Sequence, residues 1–305
     1  MITEIPLFHS IFQLTFCIFG CTMFAFDTIL LLATVAAKKD QNIPFAYLIV
    51  MTICGIFGKL VYILDFTTYL VFPLKVYRSY RMVLGKEVTF LGTWSYYIII
   101  FVSVLMTVNR LFVLIRPVNT RAFNRSRIFW YSGGIAVSCA IILLIPVFST
   151  CPINFDAEKL EFASICGHNP HVLSKFVDDN SFAIVVILFL INSALVVYMR
   201  VSRGIQKISG TGKSSTIFTS STSLLQRRRE QTLTMQAIGV TFFLSIYEVG
   251  KFFNQNFLDT YNRIPVSITQ AYFYFRFMSV LAINFFVYYA QSATGRKIVN
   301  RYLRI

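Results

Sequence analysis

Six ionisable side chains stand inside long apolar stretches of this sequence: Asp27, Lys59, Asp65, Glu248, Lys251 and Arg276. Each costs about 2.5 to 3.5 kcal/mol at the centre of a membrane helix on insertion scales, so charges placed there mark points where a partner or a polar ligand is met. Glu248 and Lys251 are three apart and can pair along one helix face, a purely structural use. The functional alternative gathers Lys251, Arg276, Lys59 and Asp65 around one cavity with Tyr62, Tyr69, Tyr247 and Tyr272. A cavity of that net positive character suits a small acidic or polar ligand. An enzyme of the membrane would need clustered His, Asp or Glu ligands, or a nucleophile with its base. The three histidines, His9, His168 and His171, form no metal spacing with carboxylates, so the expectation is no enzyme, no metal and no cofactor. Gly210 to Ser214 resembles part of a phosphate-binding loop, but the first glycine of that pattern would fall on Lys207 and no strand precedes it.

The elements that position these residues follow from composition. Of 305 residues, 56% are hydrophobic and only 13% charged, with 32 Phe and 16 Tyr and a mean hydropathy of +0.66. A soluble domain of this size carries about a quarter charged residues. The apolar material falls into blocks long enough to cross about 30 Å of hydrocarbon as helix. Seven are read here: about 10 to 37, 43 to 72, 89 to 115, 128 to 150, 181 to 200, 232 to 257 and 266 to 291. The predicted fold is an all-α membrane protein, a single seven-transmembrane helix bundle over 1 to 305. The N-terminus has no basic region of the signal-peptide kind, so the first block reads as a retained helix.

Basic residues orient the bundle. With the N-terminus outside, seventeen Lys and Arg fall in inner segments and seven in outer ones. That polarises the net charge of +15 to the cytoplasmic face, where it meets anionic lipid of the bilayer. Nucleic acid is not an expected partner, because the basic residues are scattered around helix ends. Cys17, Cys21, Cys54 and Cys139 lie within apolar blocks as small hydrophobes. Cys151 and Cys166 share the second outer loop, where a disulfide would contribute roughly 3 kcal/mol and hold the loop as a lid. The third inner loop, 209 to 223, is rich in Ser, Thr and Gly and meets Arg227, Arg228 and Arg229. It reads as a linker or as a phosphorylatable tether beside a partner.

Two short motifs complete the pattern. The third block runs through Asn109-Arg110-Leu111 and stops at Arg116-Pro117, leaving an arginine on the last turns of an apolar helix. The seventh ends with Asn284-Phe285-Phe286-Val287-Tyr288, which puts Asn284 and Tyr288 on one helix face. Beyond it, Ile298, Val299, Tyr302 and Leu303 oppose Arg296, Lys297, Arg301 and Arg304, the pattern of a short amphipathic helix on the inner leaflet.

These positions resemble those of rhodopsin-like G-protein-coupled receptors. There an acidic-Arg-aromatic motif closes the third helix and an Asn-Pro-x-x-Tyr motif closes the seventh. Here Asn109 replaces the acid, Leu111 the aromatic residue and Phe285 the proline. Those receptors mostly tie the second outer loop to helix three by a disulfide, but no cysteine occurs between Arg78 and Val102. With its Phe and Tyr excess and short basic tail, the chain is similar to the nematode serpentine chemoreceptors, nearest the class gamma and class V group. The resemblance implies a receptor of sensory-neuron plasma membranes that binds a small environmental molecule and activates a heterotrimeric G protein. Arg110 would carry the conformational lock, with Asn109 and Pro117 beside it, and Asn284 and Tyr288 part of the switch. A ligand-gated channel or a transporter is the alternative. Insect odorant channels of seven helices have the opposite orientation, and transporters show related halves, which are not seen here.

Overall fold

The computed structural model describes residues 7–37, 45–115, 120–158, 160–164, 171–208, 220–257 and 263–304. Pro117, Cys166 and residues 209–219 of the third inner loop lie outside the described residues. Within them run α1 (Leu7–Ala36), α2 (Phe45–Val71), α3 (Leu74–Ile115), α4 (Arg125–Val147), a hairpin of β1 (Ile153–Asp156) and β2 (Glu161–Ser164), α5 (Val172–Ile208), α6 (Ser220–Asn256), α7 (Val266–Leu281) and α8 (Ala293–Leu303). The first six helices each contain a stretch long and apolar enough to cross a membrane. Helix α7 has 16 residues and gives way, after a turn at Ala282, to a π-helical segment at Phe285–Ala290. The Gln291 N–H there donates to the Phe286 carbonyl at 2.8 Å, five residues back.

Helix α3 differs most from the sequence expectation. It begins at Leu74, not near 89, and has 42 residues, about 63 Å at 1.5 Å per residue, roughly twice the hydrocarbon thickness. Pro73 ends α2 and starts α3, its carbonyl accepting from the Val76 and Tyr77 N–H groups at 2.8 and 3.1 Å. The polar segment after it stays helical because one stripe is buried under the hairpin. Tyr77 is fully buried and its hydroxyl accepts from the Ala157 N–H at 2.9 Å, while Thr89 Oγ1 accepts from the Phe155 N–H at 2.8 Å. Helices α5 and α6 likewise extend past their apolar blocks, to 172–208 and 220–256.

Helix α1 packs on α2 and α7, α2 on α3, α3 on α4, and α5 and α7 on α6. Two buried clusters fill the interior. Toward the hairpin, Phe16, Phe66, Tyr77, Phe155, Tyr274 and Phe277 pack together. Toward α8, Tyr47, Met51, Met106, Leu244 and Tyr288 do so. Helix α8 starts on Ser292, whose hydroxyl accepts from the Gly295 N–H at 3.1 Å. It buries Ile298 and Val299 and leaves Arg296, Lys297, Arg301 and Arg304 exposed.

Candidate functional site

At the hairpin end, side chains of α2 to α7 surround a cavity of about 950 Å³, with the hairpin as a further wall. This is the size range of small-molecule sites, which are mostly apolar with a few placed polar groups. Aromatic side chains from four helices, Tyr62, Tyr96, Tyr97, Tyr247 and Phe273 among them, supply the apolar wall.

The polar groups form a network centred on Glu248, which is wholly inaccessible to solvent. Its carboxylate accepts from the Tyr96 hydroxyl at 2.6 Å and the Ser181 hydroxyl at 2.8 Å, and Lys251 Nζ lies 3.9 Å away. Lys251 also pairs with Asp178, which accepts from Gln255 Nε2 at 2.9 Å. A buried carboxylate needs such donors, since leaving it unmet would cost several kcal/mol. The network therefore ties α3, α5 and α6 together at the floor of the cavity. The Glu248 and Lys251 pairing expected from spacing is part of it; Tyr96, Ser181 and Asp178 could not be found from helix spacing.

Of the eight ligand-binding candidates, Tyr62, Tyr247, Lys251 and Arg276 line the cavity. Arg276 crosses the backbone of Gly250, where a Cβ would stand 2.7 Å from the Tyr272 hydroxyl and nearer still to Arg276. Its guanidinium carbon sits 4.9 Å from the Tyr247 ring centroid, a cation–π contact. Tyr272 thus neighbours Arg276 without lining the cavity. Asp65 and Tyr69 belong to a different neighbourhood. Tyr69 packs edge-on against Tyr77 at 5.0 Å, and Asp65 lies in the field of the Arg81–Asp156 pair between α3 and β1.

Lys59 is also elsewhere. It pairs with Asp27 in the interior of α1 and α2, where Asn284 Nδ2 donates to the same Asp27 oxygen at 2.7 Å. Gly55 makes room for this triad, since a Cβ would lie 2.5 Å from Asn284 Nδ2 and 2.7 Å from Asp27 Oδ2. Asn284, expected as part of a switch, is thus joined to a buried ion pair.

At the other end, Asn109 Nδ2 donates to the Tyr47 hydroxyl at 3.1 Å, and the Arg110 charge acts on that same hydroxyl. Both residues are buried. One and a half turns on, α3 ends at Ile115. Thr107 and Asn192 join α3 to α5 through hydrogen bonds of 3.0 and 3.4 Å. Tyr288 is buried in the π-helical segment. Cys151 is disulfide-bonded, and Cys17, Cys21, Cys54 and Cys139 are free.

The family model described as Caenorhabditis serpentine receptor-like protein, class xa, matches residues 42–193. Serpentine receptor class XA 10 of Caenorhabditis elegans is 27% identical over 296 residues, covering 93% of this chain and 87% of that protein. The class matched is xa, not the gamma and V group suggested by the residues. The structure of squid rhodopsin superposes with a TM-score of 0.66 over 97% of this chain and 84% of that one, at 15% identity. By fold the chain is therefore a rhodopsin-like seven-transmembrane helix bundle, and by sequence it is similar to the class xa serpentine receptors of Caenorhabditis.

Proposed function

We propose that the chain is a chemosensory receptor of the plasma membrane that binds a small environmental molecule in the hairpin-end cavity and activates a heterotrimeric G protein at the opposite end. The observation that carries this reading is the relation of the two ends. Tyr96 lines the cavity and Arg110 sits buried beside Tyr47, fourteen residues further along the same helix, about 21 Å at 1.5 Å per residue. The rigid connection through α3, with Glu248 bonded to its upper part, offers a two-state element that a ligand could bias. In this reading the N-terminus and hairpin face outward, and Arg110, α8 and the third loop face the cytoplasm of a sensory neuron.

The test combines orientation with coupling. Epitopes at both ends, read by antibody access in intact and permeabilised cells, should show an exposed N-terminus and a hidden C-terminus. Arg110→Ala should abolish G-protein signalling while surface expression persists. Unchanged signalling would reduce Arg110 to an anchor. A reversed orientation would place the sequon at Asn124-Arg125-Ser126 outside and bring the channel reading forward.

A further inference from the structure

One buried cation lining the cavity has no carboxylate partner among the described residues. Arg276 is only 5% exposed, lines the cavity, and has no hydrogen-bond partner at Nε or Nη1 among the described residues. The Tyr247 ring faces its guanidinium and attracts a cation without neutralising it. Two other lysines in the bundle are already met. Lys251 is held by Asp178 and Glu248, and Lys59 by Asp27 outside the cavity.

Of the acids at the cavity, Glu248 is engaged by Tyr96, Ser181 and Lys251, Asp178 by Lys251 and Gln255, and Glu158 by Arg78 at 3.0 Å, while Glu161 and Asp179 are exposed to solvent. No carboxylate among the described residues pairs with Arg276. A buried guanidinium left in this condition is costly, and a ligand that supplies the missing acceptor recovers that cost on binding.

We propose that the cavity takes a small organic monocarboxylate, its anionic group on the Arg276 guanidinium and its apolar body among the aromatic side chains. This rests on the cavity being the ligand site of the receptor. Guanidinium and carboxylate match in charge and in hydrogen-bonding geometry. One negative charge complements the buried Arg276 guanidinium: Lys251 already faces two acids, and Lys175, Glu161 and Asp179 are exposed at the edge, where water screens them. The walls of Tyr62, Tyr96, Tyr97 and Phe273 favour an apolar or aromatic body.

The test uses the purified full chain in detergent and matched probes: hexanoate, benzoate and phenylacetate against hexanamide, benzamide and phenylacetamide, at neutral pH. The expected result is a rise in melting midpoint with one or more acids and none with the matching amides. Arg276→Gln should weaken the response to the acids about ten- to a hundredfold, and Arg276→Lys should retain part of it. The comparison of acid with amide in the unaltered protein stands even if the variants fold poorly. Amides that stabilise as well as their acids would overturn the anion assignment and leave the cavity as a ligand site. No shift with any of the six would overturn both.

Discussion

Replacing Lys59 by Met should destabilise the protein far more than replacing Lys59 and Asp27 together. Both side chains are at most 2% exposed, and they pair directly inside the bundle. Removing one partner of a buried ion pair leaves an uncompensated charge, at a cost of about 3 to 5 kcal/mol. Asn284 softens the loss for Asp27, because its amide continues to donate at 2.7 Å, so Lys59→Met should fall near the lower bound. Asp27→Leu leaves the ammonium without its carboxylate and should fall near the upper one. At about 2 to 4 °C per kcal/mol for a large domain, the single variants should lose about 6 to 20 °C in thermal midpoint. The double variant Asp27→Leu with Lys59→Met replaces the pair by apolar groups and should recover most of that loss. Thermal unfolding of the detergent-purified chains, followed by loss of the monodisperse peak, measures all three. Gly55→Ala gives an independent check, since its methyl would stand 2.5 Å from Asn284 Nδ2 and force the triad apart. Single variants within about 2 °C of the unaltered chain, or a double variant as unstable as the sum, would refute the ion-pair reasoning.

Tyr96→Phe removes a 2.6 Å donor from the buried Glu248 carboxylate and should cost about 1.5 to 3 kcal/mol. The same thermal assay measures it, and Glu248→Gln in the Tyr96→Phe background should restore part of the loss. Gly295→Ala should detach α8 from the π-helical segment, because a Cβ there would collide with the Tyr288 carbonyl, which is backbone and cannot swing aside. Spin labels on α8 and on α1, which it packs against, should report a longer separation in that variant.

The membrane character, the approximate positions of the helices and the amphipathic pattern of α8 were legible because hydrophobicity and helical periodicity are local properties. The same locality explains where legibility stopped. Residues 74 to 88 read as a polar connection, and their helix depends on Tyr77 and Thr89 meeting the hairpin 80 and 66 residues later. The six intramembrane charges were visible as costly residues, but their partners were not. Lys59 and Arg276 look alike in sequence, each a lone cation in an apolar block.

Sequence alone determined that these charges are costly where they stand and call for partners, since hydrocarbon solvates them poorly. Only the tertiary structure decided how. It brings Asp27 and Asn284 to Lys59 from helices at the two ends of the chain, with Gly55 allowing the close approach. It also commits Asp178, Glu248 and Glu158 to other groups, leaving the Arg276 guanidinium over the Tyr247 ring and open to the cavity. Pairing across distant segments is fixed by how helices pack, a property of the whole bundle that no window of sequence contains.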